Sequence, residues 1–289
     1  MRLTKTWARF GRAKEHREAF GRIWNDFLTG GDPLVAGHAI VEAAQTEHEP
    51  YFASVAVDDD GHGVISVEPV DLPARELALE LGEMLYQLRA ALDSLVYECA
   101  IALSGQDPPP GADRLEFPIH SSERAFTNSP QKIAPLGTHH KLWIWQIQPL
   151  RDDYETEGLA LTSEVLRTIN DLARKDRHRG LRVVGSWASE AAPLLDLPSG
   201  CSIEWMEVND GGLLEANDII ARFQLRGWSP RSPPIRANPN CMIDVALEDL
   251  PPPSDSEDTL FWRTGTWLAV VKLLIEGFEE SLNGDPSDV

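Results

Sequence analysis

The chain has 289 residues, of which 42% are hydrophobic and 25% are charged, and its formal net charge is −20 at pH 7. These proportions are those of a soluble globular protein with a sizeable core, and they exclude a disordered chain. The acidic balance, 46 Asp and Glu against 26 Lys and Arg, argues against a general nucleic-acid coat.

Cysteine usage and hydropathy indicate a reducing compartment. Cys99, Cys201 and Cys241 are far apart and form no C-x-x-C pair. Neither a disulfide framework nor a zinc knuckle is indicated, and no cofactor or metal is expected. The N-terminus has no apolar signal core, and no apolar run approaches the length that spans a bilayer. We therefore expect a cytoplasmic protein without a membrane segment.

The first predicted element is an amphipathic helix over Thr4–Leu28, which Gly30 and Gly31 end. The start of the chain is basic, in contrast to the whole. Its cations are Arg2, Lys5, Arg9, Arg12, Lys14, Arg17 and Arg22. Such a helix packs on its own domain, which we expect, lies on a membrane, or binds a protein partner. We assign residues 1–48 to this helix and a linker.

The clearest helix is predicted over Arg75–Ser104, which contains no proline. Its apolar residues recur at steps of three and four, so that they lie along one side. That stripe contains Leu77, Leu81, Leu85, Leu88, Leu92, Leu95, Cys99 and Leu103. A second stripe, about 110° away, carries Arg89 and Asp93 between Tyr86 and Tyr97. We expect this stripe to be buried as well.

The remaining side of the central helix is the expected solvent-facing side. It is formed by Glu80, Gln87, Ser94 and Glu98, which again share helical spacing. Four polar side chains on one face are typical of a helix surface that meets water.

The segment between the central helix and the next one is harder to assign. The sequence LEFPI at 115–119 predicts a short extended segment that docks Phe117 and Ile119. The sequence KLWIWQIQ at 141–148 suits either a strand or a short buried helix. His139 and His140 are adjacent and lack an acidic or cysteine partner set, so we interpret them as surface residues.

A second secure helix is predicted over Leu161–Arg179, with Thr162 or Ser163 as its cap and Gly180 at its end. Alternating β-branched runs predict a hairpin at 51–70 and a series of later strands. The later strands are predicted at Leu181–Ala188, Ser202–Val208, Asp218–Leu225 and Met242–Leu247. An amphipathic helix over Leu260–Leu282 closes the chain.

This order of elements predicts an α+β fold, in which a helical core packs on one mostly antiparallel sheet. The helical core consists of the long central helix, the second helix and the C-terminal helix. We expect the sheet to recruit the early hairpin, so that residues 49–289 form a single domain. A boundary near residue 180 is the alternative.

The dense group of reactive side chains at the end of the second helix is the candidate site. His178 exchanges protons near neutral pH and is a candidate general acid or base, and Asp176 is placed to orient it. Guanidinium groups match phosphate oxygens, so Arg174, Arg177 and Arg179 are candidate anion ligands. We predict that Arg89, Asp93, Asp176, His178 and Arg179 meet in one polar network.

Each half of this network also has a structural interpretation. Cations in the last turn of a helix stabilise its dipole and its free carbonyls without any function. Arg89 and Asp93 are four residues apart, which suits an intrahelical ion pair of about 0.3–0.5 kcal/mol. Burial favours the network, because a covered Arg and Asp need partners.

Several motifs together resemble a widespread group of uncharacterised bacterial proteins, especially from actinobacteria and their phages. These are LGEMLYQLRAALDSLVYECA, LEFPI, QIQPL and INDLARKDRHRGL, within about residues 50–280. The helix with LRAALD and the turn with DRHR are the most specific of them. The resemblance carries no activity.

The two secure helices are also similar to those of the HEPN family, which cleaves RNA without metal by an Arg and a His at a dimer interface. The resemblance implies a role for His178 in RNA cleavage. Three residues separate Arg174 from His178 here, where that family has four to six. Two hypotheses follow. One is a non-catalytic binding or interaction protein that receives a small anionic ligand. The other is a metal-independent ribonuclease or phosphodiesterase that acts in phage defence.

Overall fold

The computed structural model describes residues 2–29, 51–69, 72–150, 154, 156–188, 194–209, 212–215, 217–238, 242–251 and 258–283. The chain divides into two compact units. The first comprises Met1–Ala19, Leu79–Leu181 and Thr264–Val289. The second comprises Phe20–Ala78 and Arg182–Arg263. The predicted domain boundary at residue 48 lies outside the described residues, and that division stays a prediction.

Two long helices confirm the strongest sequence predictions. α1 covers Thr4–Thr29, and α2 covers Ala74–Ser104. α2 begins directly after Pro73, whose carbonyl accepts the Leu77 N–H. Proline is tolerated at a helix start because the amide hydrogen it lacks has no partner there.

The chain after α2 forms short helices before the second long one. α3 covers Glu123–Thr127, α4 covers Thr138–Gln146, and 3₁₀ turns cover Ala112–Arg114 and Pro130–Ile133. The ambiguous run at 141–148 is therefore mostly helical. The segment 115–120 has no regular structure, and Phe117 and Ile119 are buried, as predicted.

The second long helix, α5, covers Glu157–Arg179 and begins earlier than predicted. Its N-cap is Thr156, whose hydroxyl oxygen accepts the Leu159 N–H, so the predicted caps at Thr162 or Ser163 are wrong. Its predicted end is confirmed, since Gly180 has a φ of 72° that favours glycine. The last helix, α6, covers Leu260–Asn283.

All described strand pairs are antiparallel, which with the helices gives an α+β fold. The strands are β1 Tyr51–Val57, β2 His62–Pro69, β3 Val183–Ala188, β4 Leu194–Asp196, β5 Ser202–Val208, β6 Gly212–Leu213, β7 Asp218–Arg226, β8 Arg236–Asn238 and β9 Met242–Leu247. The predicted hairpin is β1–β2, and β2 pairs with β7, so the hairpin does join later strands.

The expectation of one sheet is wrong for the described strands, which form three sheets. Their strand orders are β1-β2-β7-β5, β6-β3-β9 and β4-β8. The chain leaves the first sheet after β5, contributes β6 to the second, and returns to the first with β7. Consecutive strands therefore belong to different sheets, which their alternation of residues could not indicate.

The leucine stripe of α2 is buried from Leu77 to Cys99, as predicted, while Leu103 at the end of the helix is exposed. The buried side chains of the first unit include Leu88 and Leu92 of α2, Leu166 and Ile169 of α5, Ile275 and Phe278 of α6, and Phe117. None of the described helices is both long enough and apolar enough to cross a membrane.

Candidate functional site

The Arg89 guanidinium is the centre of a charged cluster in the first unit. Its Nη2 donates to Glu116 Oε1 at 2.7 Å and to the Phe117 carbonyl at 2.6 Å. The same nitrogen lies 3.2 Å from Asp93 Oδ1. The Arg89 side chain is only 13% exposed, so these bonds form in a largely water-excluded environment. Charge-assisted bonds of this kind are about twice as strong as neutral ones.

Asp93 and Lys132 complete the cluster from the other side. Asp93 Oδ1 accepts the Phe117 N–H at 2.9 Å, and Lys132 Nζ lies 2.9 Å from Glu116 Oε2. The Lys132 carbonyl also accepts the Glu116 N–H. The extended segment 115–120 thus has its backbone and its acidic side chain bound on both sides, which holds the buried Phe117 against α2.

The two carboxylates of the cluster have pKa values shifted in opposite directions. Burial raises the pKa of Asp93, and the nearby Arg89 and the Phe117 N–H oppose that shift without outweighing it. Burial would also raise the pKa of Glu116, but Lys132 and Arg89 together lower it below its usual value. Glu116 is therefore the principal counter-charge of Arg89.

One donor of the cluster has no protein partner. Arg89 Nη1 is buried and makes no hydrogen bond to a described residue. His120 lies close to the cluster, and burial followed by the charge of Lys132 lowers its pKa. A neutral His120 adds no further positive charge beside Arg89, so the cluster is close to balanced.

The predicted residues at the end of α5 lie on the surface. Arg174, Arg177, His178 and Arg179 are all exposed. Arg174 lies 3.9 Å from Asp171 Oδ1, and Arg177 Nε donates to the carbonyl of Ala173. Cations at a helix C-terminus also stabilise the helix dipole, so this turn has a structural role.

Asp176 lies against α2, but at a different level from Arg89. A Cβ atom added at Gly82 would lie 2.6 Å from Asp176 Oδ2, so the carboxylate contacts the α2 backbone. Gly82 precedes Arg89 by seven residues, which is about 10 Å along a helix.

The predicted network of Arg89, Asp93, Asp176, His178 and Arg179 is therefore divided in two. Arg89 and Asp93 bond to Glu116 and Phe117 instead of to the end of α5. Arg89 and Asp93 thus bind the segment that follows α2, whereas Asp176 of α5 contacts α2 at the level of Gly82.

The second stripe of α2 is buried only at its centre. The Arg89 side chain is only 13% exposed, Asp93 and Tyr97 are half-buried, and Tyr86 is 53% exposed. The expected burial of the whole stripe is wrong at Tyr86, because segment 115–120 reaches only the level of Arg89 and Asp93.

The predicted solvent-facing side of α2 is covered by α1. Glu98 is 7% exposed, and its carboxylate accepts the Lys5 N–H, the Thr6 N–H and the Thr6 hydroxyl at 2.8–3.1 Å. The Gln87 amide oxygen accepts from Arg9, and Glu80 lies 2.8 Å from His16 Nδ1. These polar residues cap and hold α1, since the first amide hydrogens of a helix have no partner within it.

The prediction that His139 and His140 are surface residues is wrong for His140, which is 7% exposed. Its Nε2 lies 2.8 Å from Ser281 Oγ, and its ring lies beside that of Phe278. Its Nδ1 is buried and makes no hydrogen bond to the part of the chain that the structure describes. Burial, with the nearby His139, lowers the pKa of His140.

Other reactive groups are either inert or isolated. Burial and the Glu98 carboxylate raise the pKa of Cys99 to about 12, so this thiol is not a nucleophile at neutral pH. Within the described ranges, no three or more His, Cys, Asp and Glu side chains are placed to hold a metal ion.

Glu116 and Lys132 are the members of the cluster that the sequence did not suggest. A local signal for Glu116 does exist, because an acidic residue directly before a docked phenylalanine is held close to the core. Lys132 has no such signal, since its position depends on the turn Pro130–Ile133.

Comparison of the chain with protein-family models, with curated proteins and with solved structures finds no match. The resemblances to the actinobacterial group and to the HEPN family stay predictions.

Proposed function

We propose that this protein is a non-catalytic binding protein, in which the Arg89 cluster holds the fold together and the basic end of α5 receives a small anionic ligand. The observation that carries the proposal is the engagement of Arg89 by Glu116, Asp93 and the Phe117 carbonyl. A guanidinium bound in this way stabilises its surroundings and is not available to a reacting group.

The anion site is assigned to the side chains that face water at the end of α5. Arg174 and His178 are four residues apart, and therefore share a face of the helix, with Arg177 beside them. Three exposed donor groups within one turn suit a phosphate or carboxylate group, since arginine presents a fork of donors.

Binding of inorganic phosphate tests this site. We expect phosphate to raise the melting temperature of the wild type at fixed ionic strength, with a sulfate-free chloride buffer as reference. The Arg174→Ala/Arg177→Ala variant is expected to lose this response. Arg114→Ala/Arg124→Ala, which also removes two exposed cations, is the matched control and is expected to keep it. An equal response in all three proteins contradicts the site.

The alternative function is metal-independent RNA cleavage with His178 as general acid or base. The observation that favours it is the exposure of His178 beside Arg174 and Arg177, where an RNA phosphate has access. An assay of RNA cleavage in EDTA separates the two functions. Cleavage by the wild type that His178→Ala abolishes, at an unchanged melting temperature, supports the enzyme. Absence of cleavage in both proteins supports the binding protein.

A further inference from the structure

A row of cations lies at the start of the chain and along α1. Arg2, Lys5, Arg9 and Arg12 follow each other at steps of three, four and three residues, and all four are exposed. Lys5, Arg9 and Arg12 belong to α1, where residues at these steps lie on one side of the helix, about 5–6 Å apart between neighbouring Cβ atoms, and Arg2 precedes the helix. We call these four residues the basic stripe.

Most of the basic stripe has no carboxylate partner. Among the residues that the structure describes, Arg2, Lys5 and Arg9 form no ion pair, whereas Arg12 pairs with the exposed Glu15. Unpaired cations in a row are unexpected in a chain with 46 acidic and 26 basic residues. The nearby Glu98 carboxylate is occupied by amide hydrogens of α1 and by Thr6.

The basic stripe lies beside α2, which contributes aromatic and amide groups. Arg9 Nη1 donates to the Gln87 amide oxygen at 3.1 Å, and Lys5 Nζ lies 5.8 Å from the centre of the Tyr97 ring. Tyr86, which directly precedes Gln87, is exposed. A line of cations and an exposed aromatic ring therefore occur together, since Tyr86 is the chain neighbour of the residue that Arg9 contacts.

We infer that the basic stripe and Tyr86 bind single-stranded RNA. Lys5, Arg9 and Arg12 contact successive phosphates, and Tyr86 stacks on a base. Sequence-independent sites for single strands combine these two elements, a positive track for the backbone and aromatic rings for the bases. The free ring favours RNA over an acidic protein segment, which needs the cations alone.

The overall charge of −20 does not prevent such a contact at physiological salt. The Debye length there is about 8 Å, so the charges next to the RNA determine the local attraction. About three phosphate contacts predict that the affinity for a single strand falls with salt with a logarithmic slope of about −2. This inference uses residues other than those of the proposed anion site, so either one can fail alone.

Fluorescence anisotropy of a short labelled oligo(U) tests the inference on the full chain. Lys5→Glu/Arg9→Glu is expected to bind at least about tenfold more weakly than the wild type, because two phosphate contacts become repulsive. Arg114→Glu/Arg124→Glu changes the net charge equally at exposed positions elsewhere in the first unit. This control is expected to bind within about twofold of the wild type.

A second pair of variants tests the aromatic contact. Tyr86→Ala is expected to weaken oligo(U) binding by about tenfold, the usual value of one stacked base. Leu79→Ala removes another exposed apolar side chain of α2 and is expected to have no effect on the Kd. Lys5→Gln/Arg9→Gln removes the same two charges without reversing them. If its melting temperature is unchanged, a loss of oligo(U) affinity in the charge-reversed variant does not come from unfolding.

Three results overturn the inference. One is the absence of saturable oligo(U) binding at physiological salt. Another is an equal loss of affinity in the stripe variant and in its charge-matched control. The third is that poly-glutamate binds as tightly as oligo(U) and competes with it. That result assigns the basic stripe to an acidic protein partner.

Discussion

Arg89 Nη2 lies 2.7 Å from Glu116 Oε1, although the two residues are 27 positions apart in the chain. This ion pair joins the middle of α2 to the extended segment that carries the buried Phe117. Because Asp93 accepts the Phe117 N–H and Arg89 donates to the Phe117 carbonyl, both backbone groups of that residue are bound by α2. The pair therefore fixes the path of the chain after α2.

Replacing Arg89 tests its structural role. Arg89→Met keeps an apolar stem but leaves the Phe117 carbonyl without this donor and removes the cation that Asp93 and Glu116 share. We expect a loss of about 2–3 kcal/mol in the free energy of unfolding, because removal of one partner leaves the others unpaired. Arg174→Met at the surface is the control and is expected to cost less than about 0.5 kcal/mol. Urea denaturation measures both, and equal values would refute the role of Arg89.

The contact between Gly82 and Asp176 predicts an unusual effect of alanine. Gly82→Ala is expected to destabilise the protein by about 1–2 kcal/mol, because its methyl group would collide with the Asp176 carboxylate. Alanine in a helix is otherwise favoured over glycine by about 1 kcal/mol. Gly11→Ala in α1, where a Cβ meets no atom within 4 Å, is therefore expected to stabilise. Thermal unfolding of the two variants distinguishes them by sign, and stabilisation by both would contradict the packing.

Glu98 is expected to be essential for the attachment of α1. Glu98→Ala removes the acceptor of three hydrogen bonds and is expected to cost about 2–4 kcal/mol, since buried amide hydrogens would lose their partner. Faster amide hydrogen exchange at Lys5 and Thr6 is the local signature. Glu83→Ala, an exposed residue of the same helix, is the control. Unchanged exchange in Glu98→Ala would show that α1 is held by other contacts.

His140 predicts that stability depends on pH. Burial keeps its pKa in the folded protein below the usual 6.5, so the unfolded chain binds more protons between the two values. The free energy of unfolding is therefore expected to fall as the pH falls below about 6.5. His120, whose pKa is also lowered, contributes in the same direction.

The variant His140→Gln is expected to flatten this dependence between pH 7.5 and about 5.5, whatever its effect on stability at neutral pH. His178→Gln removes an exposed histidine and is the control, which should retain the slope of the wild type. Chemical denaturation at a series of pH values gives the slopes. A slope in His140→Gln equal to that of the wild type would exclude this histidine as its source.

The helices were predictable because their apolar period and end signals are local. The spacing of leucines in α2 and the glycine after α5 both predicted what the structure has. What covers a helix face is not local, as the side of α2 with Gln87 and Glu98 shows. Polar side chains on a face indicate water when a helix stands alone, but Glu98 instead meets amide hydrogens of α1, 92 residues away in the chain.

The same holds for the candidate site. Burial of Arg89 was predictable, and so was its need for partners. The choice between Glu116 and the end of α5 was not, because it depends on where the segment after α2 turns back. His140 was misjudged for a related reason, since its environment comes from Phe278 and Ser281 of the distant α6.

A double-mutant cycle on Arg89 and Glu116 tests most directly whether the Arg89 cluster stabilises the fold. Urea denaturation of wild type, Arg89→Met, Glu116→Gln and the double variant gives the coupling free energy of the pair. We expect a coupling of about 1–2 kcal/mol, because Arg89 is largely removed from water and donates to Glu116 at 2.7 Å. A coupling near zero would contradict the structural role of the cluster.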